Sequence, residues 1–515
     1  MEIWQLLNIV KYKKTLFFRE INTSERIDAL IEIKTRATPT YISHIFPFIL
    51  DSNKEIRDIS LKIILNLFNQ TISKKDIYQT ARNCEIKLND LNKAEDLFNE
   101  QDFTSILTIA SLNYNGYIRE YALTKLTEIQ NPETLPYFIF RLADWVENVR
   151  ITAHNSFKTF LKPENSKYIV ENLNQFYWLQ QVERVDLKPI YNEVIHFLTI
   201  ENRKYILENL NQFNEKSVRI IAKEFIQIAD ITNQELSYFI NHKSLIVRHI
   251  SLKRFELFDH NQIQKFLNEK AAKIRYETLY LLKDSPGFEK IIEQYIVDES
   301  ALIRNFARFT LRNKNINFIE IYHQNLIKKE NINGSICGLA ELNAKEYESL
   351  INDYLYSKNV KIKKIAFLAL QKLESKSAFE FALENLNTEL IGLRNLIVDY
   401  LENYPTNEVI EKAREVFINN GKDLKVSMLK LFSKIGNYDT INDLMFGLID
   451  ENENVRNIAQ NYIMKWKTNM NKYYSVPTNY QIEKAKESLL YVDSVLKERK
   501  YFNENPTENL TMYFK

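Results

Sequence analysis

Seven histidines, two cysteines and a scatter of cations are the side chains in this chain that could carry chemistry of their own. His242 and His249 flank Arg248, but seven residues apart they miss the i, i+4 spacing with which a helix holds a metal ion; solvated or loop histidines are the simpler reading. Cys84 and Cys337 are too distant in sequence for a CxxC metal or redox pair. No HExxH, GxSxG, Walker A loop or GxGxxG is present, and acidic pairs such as Glu183 and Asp186 are ordinary among 67 acids. No catalytic residue, metal site or cofactor is expected. What remains is a set of cations, His154, Lys188, Lys223, Arg304, Arg308 and Arg312, whose chemistry would be recognition of an anionic partner. Whether they can act together depends on the elements that carry them.

Composition points to helices. The 515 residues include 45% apolar side chains but only 8 Gly and 10 Pro, far below the turn-residue content a β-rich chain would need. Asn is frequent and can serve helix caps where Gly is missing. The net charge of +2 gives no global drive toward nucleic acid or an anionic membrane. The opening MEIWQLLNIVKYKK places its lysines after the apolar run, the wrong polarity for a signal peptide, and the run is too short to span a bilayer. A cytoplasmic location is expected.

The elements repeat. KYIVENLNQF at 167–176 returns as KYILENLNQF at 204–213, with a weaker echo, FALENLN, at 381–387. A second phrase, an aliphatic residue followed by Arg, recurs as EIRDISLKIIL, YIREYALTKL, NVRITAHNSF and NVRNIAQNYI. Anchoring on the basic residue gives Arg26, Arg57, Lys87, Arg119, Arg150, Arg184, Arg219, Arg248, Arg275, Arg304, Asn333, Lys363, Arg394, Lys425 and Arg456. The mean step is about 31 residues, inside the range of solenoid repeats. Around the anchor, position −1 is Ile, Val or Leu in thirteen of fifteen units, position +3 is Ala, Ser or Thr in ten, and position +7 is apolar in all. Those offsets share one helical face. The units at Arg26, Lys87, Arg184 and Asn333 fit least well. An amphipathic run precedes each anchor, such as LPYFIFRLAD at 135–144, so each unit reads as a hairpin, helix A then helix B, with the anchor in the first turn of B. The decapeptide is then helix A of two consecutive hairpins, its Tyr, Ile, Val or Leu, Leu and Phe forming the buried stripe.

This pattern resembles HEAT repeats, which carry Pro in helix A, Asp in the turn and Val-Arg opening helix B. Pro136, Asp144, Val149 and Arg150 show all four, and Asp six before Arg recurs as Asp51/Arg57, Asp298/Arg304 and Asp450/Arg456. The resemblance covers roughly residues 20–467. It implies an all-α, right-handed superhelical solenoid of about fifteen hairpins, with an inter-repeat ladder in which Arg of one unit bonds Asp of a neighbour. Expected ladder residues are Arg57, Arg119, Asp144, Arg150, Arg219, Arg248, Arg275, Arg394, Asp450 and Arg456; the Asp can also cap helix B. Most units lack both the Pro and the Asp. The expected organisation is an N-terminal capping segment at 1–20, the repeat array at 21–467, and a linker with a C-terminal helix at 468–515. In that helix Ile482, Ala485, Leu489, Val492 and Leu496 form a narrow stripe suited to capping the array or to a partner's groove.

Four residues after the anchor stands Leu, Phe, Val or Cys in ten units; the exceptions are His154, Lys188, Lys223, Arg308 and Gln460. Two readings are open: these cations pair with acids of the next unit, or they line an anionic partner's surface together with Arg304 and Arg312. Two functions follow. One is a non-enzymatic scaffold whose concave face, lined by B helices, holds another protein through an acidic or phosphorylated segment. The other is nucleic-acid binding in the manner of the HEAT-like DNA glycosylases, favoured by RHISLKRF at 248–255 and KNVKIKKIAF at 358–367 and opposed by the near-neutral charge. No membrane partner is expected.

Overall fold

The structure, a computed structural model, describes residues 2–11, 22–70, 81–470, 476–498 and 506–514. Parts of both expected terminal segments, 12–20 at one end and 471–475 and 499–505 at the other, lie outside them. Among the described residues every regular element is helical, and no helix is long and apolar enough to cross a membrane. The chain divides into two compact units, Met1–Ile274 and Arg275–Lys515. Each is a succession of packed helical hairpins.

The B helices are the regular members. Glu147–Thr159 packs on its own A helix, Leu135–Leu142, and on the preceding B helix, Gly116–Ile129. It does so through Val149, Ala153 and Phe157, all fully buried. Those are positions −1, +3 and +7 around the anchor. Ile303, Ala307 and Leu311 repeat the stripe, as do Val455, Ala459 and Ile463. The small residue in the middle lets the neighbouring helix approach closely. The N-caps are often Asn: Asn53, Asn115 and Asn359 each accept a backbone N–H from the first turn of their B helix.

The A helices are shorter and often broken, and the duplicated decapeptide shows why. The first copy forms Ser166–Glu171 and Leu173–Leu179, split at Asn172; the second forms Arg203–Glu208 and Leu210–Gln212, split at Asn209. In each copy the Asn side chain donates to the carbonyl four residues back, Tyr168 and Tyr205, at 2.9 Å. Asn385 in the third echo does the same to Phe381 at 3.0 Å. The repeated text therefore encodes a helix that ends on a side-chain bond. Ile169, Val170, Leu173 and Phe176 are buried, as are Ile206, Leu207, Leu210 and Phe213. The tyrosine of the second copy departs from the expected stripe, since Tyr205 is exposed, whereas Tyr168 of the first is half-buried against the core.

At the C-terminal end, helix Asn479–Glu498 packs on Ile441–Gly447. It buries Ala485, Leu489, Val492 and Leu496, four of the five stripe residues. The tail brings Phe514 against Trp466 and Tyr438.

Candidate partner-binding surfaces

The anchor occupies the fourth residue of its B helix in most hairpins: Arg57 in Lys54–Asn69, Arg150 in Glu147–Thr159, Arg456 in Glu453–Met470. Helical side chains lean toward the N-terminus, so a guanidinium there reaches back over the turn. Its Nη1 donates to the carbonyl six residues earlier: Arg57 to Asp51, Arg119 to Asn113, Arg150 to Asp144, Arg248 to His242, Arg304 to Asp298, Arg394 to Thr388 and Arg456 to Asp450, at 2.6–2.9 Å.

The residue six before the anchor does two further things. Its side chain accepts the backbone N–H two residues on, as Asp51, Asp144, Asp298 and Asp450 do at 2.7–2.9 Å. This closes the turn one step outside the helix, so the acid is not the N-cap itself. Its carboxylate also meets the preceding unit's anchor. Arg26 reaches Asp51, Arg119 reaches Asp144 at 2.7 Å, Arg275 holds Asp298 through two bonds of 2.7 and 3.0 Å, and Lys425 reaches Asp450 at 2.6 Å. Glu269, six before Arg275, fills the same place for Arg248, at 2.8 Å. Asp144 also receives Arg141 at 2.8 Å. Burial works against its charge, but the bonds from Arg119, the Val146 N–H and Arg141 prevail and hold its carboxyl below the ordinary value. Arg219 differs from the rest, bonding Glu215 within its own helix at 2.6 Å.

Two weak units are weak for physical reasons. Arg184 precedes its B helix, Lys188–His196, and its guanidinium stacks 4.3 Å from the Trp145 ring. The fourth residue of that helix is Tyr191, buried, whose hydroxyl donates to Glu224 of the next hairpin at 2.8 Å. Tyrosine there supplies the link to the next hairpin that arginine supplies elsewhere. In helix Ile332–Glu341 the anchor position gives way to close contact. A Cβ on Gly334 would fall 1.8 Å from the Val297 carbonyl oxygen, and one on Gly338 would fall 2.3 Å from the Tyr322 ring.

The six candidate cations do not form one row. Lys188 opens its helix, whereas His154 and Lys223 sit two turns into theirs, so the expected alignment of the three across adjacent units is not what the structure shows. The sequence alignment placed them together because it took Arg184 for the anchor. His154 lies 3.7 Å from Glu193; Lys188 and Lys223 are exposed. Arg304 is buried and, like Arg308, bonds Glu341. Arg308 also donates to the Tyr322 hydroxyl at 2.7 Å, and that hydroxyl donates to the Ile296 carbonyl. These two arginines tie helix Ala301–Thr310 to Phe318–Lys328 and Ile332–Glu341 of the next hairpin rather than facing a partner. Arg312 is exposed, its guanidinium 3.9 Å over the Phe309 ring.

Two surfaces were not read from the sequence. At successive A–B turns Tyr114, Tyr117 and Trp145 are 59%, 76% and 80% exposed. The turns abut, since a Cβ on Gly116 would lie 3.2 Å from a Val146 methyl. The signal was the residue five before the anchor, aromatic here and Ser52, Lys243, Glu299 or Glu451 elsewhere. The second surface is an open cleft of about 1130 Å³ among Asn407–Asn419, Ile441–Gly447 and the C-terminal helix. On its floor Arg414 grips Asp443 at 2.8 and 2.9 Å, which holds the guanidinium above its ordinary value. Only the placement of the last helix creates that space, so no local pattern announces it. Among the described residues no group of side chains is arranged to hold a metal ion.

No protein-family model and no curated protein matches the chain. Among solved structures, the chain is similar to the karyopherin Kap121p at 12% identity and a TM-score of 0.29, over 97% of this chain and 64% of that one. It is similar to yeast importin-beta (Kap95p) at 10% identity and 0.31, over 97% and 64%. A C-terminal fragment of the Chaetomium thermophilum cohesin loader SCC2 aligns at 11% identity and 0.29, over 97% and 45%. The chain thus spans less than two thirds of the length of Kap121p. TM-scores of this size leave the fold to be judged from the chain's own hairpins.

Proposed function

We propose that the chain is a non-enzymatic scaffold that binds another protein through the edge formed by its A–B turns. One observation carries this reading: Tyr114, Tyr117 and Trp145 stand out from adjoining turns whose backbones are fixed by Arg119, Arg150 and Asp144. Tyr114 and Tyr117 leave most of their surface to solvent, as does Trp145 despite its one contact with Arg184, and large exposed aromatic side chains are the groups that anchor protein interfaces. The anionic-partner surface has less support, because Arg304 and Arg308 are consumed within the fold.

The test is affinity capture with the full tagged chain, with and without nuclease, beside the Tyr117→Ala/Trp145→Ala variant. A protein retained by the wild type after nuclease treatment and lost from the variant, at unchanged Tm, supports the scaffold. Retained nucleic acid with affinity falling steeply in salt would instead favour duplex binding. A variant that captures the same proteins as the wild type overturns the proposed edge.

A further inference from the structure

The C-terminal helix Asn479–Glu498 buries its apolar stripe on Ile441–Gly447, yet toward Asn407–Asn419 it leaves the cleft of about 1130 Å³ open. The cleft has two kinds of wall. One is aromatic: Phe446, Tyr480 and Tyr491 are 39%, 69% and 56% exposed. The other is acidic: Glu411, Asp439, Asp443 and Glu487 face the cations Arg414 and Lys484, four negative charges against two positive, a net −2.

Both cations are already engaged. Arg414 holds Asp443 through two bonds and Glu411 through a third at 2.7 Å. Lys484 lies 3.3 Å from Glu487. Asp439 is different. Its carboxylate is positioned by a neutral group, the Gln481 amide at 2.7 Å, and Arg414 reaches only its backbone carbonyl, at 3.2 Å. Among the described residues no cation is paired with that carboxylate, which sits exposed at the mouth of the cleft.

We infer that this cleft takes a cationic segment of a partner protein, with a Lys or Arg side chain on Asp439 and an adjacent apolar side chain on the aromatic wall. The inference rests on the scaffold reading and names the partner chemistry at one place in it. Charge decides the class. An acidic or phosphorylated segment, or a nucleic-acid backbone, would bring like charge to a surface that already carries a net −2. A guanidinium or ammonium finds an unpaired carboxylate and, beside it, ring faces that attract cations. The open shape suits a stretch of chain rather than an enclosed small molecule.

The test is fluorescence anisotropy on the full chain with labelled synthetic peptides that alternate Arg with Leu, Glu with Leu, and Ser with Leu. The Arg/Leu peptide is expected to bind, to weaken as salt rises, and to lose about tenfold in affinity to Asp439→Asn, a step of about 1.4 kcal/mol. Tyr491→Ala, on an exposed ring, is the second variant and should weaken the same peptide; both variants are checked for unchanged Tm. Equal binding of the Glu/Leu peptide, or wild-type affinity in both variants, overturns the inference. So does self-association of the chain that Asp439→Asn abolishes, since a second copy would then be the occupant. If the Arg/Leu peptide does not bind while Tyr117→Ala/Trp145→Ala still loses its captured protein, the cleft assignment fails and the scaffold reading stands.

Discussion

At the residue scale, the turn acid has the heaviest role, because one side chain serves two hairpins. Asp144 is buried with both Arg119 and Arg141 on its carboxylate. Asp144→Ala would strand two buried guanidiniums, and removing one partner of a buried pair costs about 3–5 kcal/mol. Arg150→Ala removes bonds to two turn carbonyls, the nearer at 2.9 Å, for a loss of about 1–3 kcal/mol. Chemical denaturation of both variants checks the order; equal losses would mean that the acid serves only one hairpin. His242 occupies the acid's position in the Arg248 hairpin. Its Nδ1 accepts the Ser244 N–H at 3.0 Å, so the turn needs the neutral ring. Burial first, then Lys243 and Arg248 nearby, hold it below its ordinary value, opposed by a hydrogen bond with the Leu210 backbone and, less, by Glu215. A folded pKa below the unfolded one means that its stabilisation is complete above about pH 6.5 and is lost as pH falls from there through the folded value. His242→Asn, the amide that Asn113 supplies at the same position, should remove that part of the slope of Tm against pH.

At the element scale, what the sequence made legible is the B helix, and the reason is contact geometry. Positions −1, +3 and +7 are apolar because they face their own A helix and the neighbouring B helix, and the anchor recurs because it has a defined acceptor six residues back. Where another device does the same work, the pattern fades. Tyr191 reaches Glu224 without any arginine, and Gly334 and Gly338 replace polar rungs with close approach. The A helices were harder to read, since Asn172 and Asn209 break them into short pieces with no lasting period. Gly334 offers a test in which two effects oppose. Ala is the better helix former by about 1 kcal/mol. The backbone oxygen 1.8 Å from the added Cβ cannot yield as a flexible side chain would. Gly334→Ala should therefore destabilise, by about 1–3 kcal/mol as for other overpacked sites. A raised Tm would show that helix Ile332–Glu341 is free to move away from Val297.

At the scale of the whole molecule, stability in a repeat array is a sum of hairpin terms and nearest-neighbour terms rather than one shared core. The rungs fit that description: Arg119 to Asp144, Arg275 to Asp298 and Lys425 to Asp450 each join one hairpin to the next and no further. The charge balance has the same origin. Many of the 69 basic and 67 acidic residues are spent pairwise inside the array, which is why net charge said so little about partners. It also explains why the cleft was invisible in sequence, since its net −2 arises only where the last helix meets two hairpins. Local rungs imply local failure. Asp144→Ala is expected to raise amide exchange in the hairpins around Gly116–Ile129 and Glu147–Thr159, while helices of the Arg275–Lys515 unit such as Lys422–Ile435 keep wild-type protection. Hydrogen–deuterium exchange read by mass spectrometry resolves the two. Uniform loss of protection along the chain would mean that the hairpins unfold as one cooperative body and that the nearest-neighbour description does not hold for this protein.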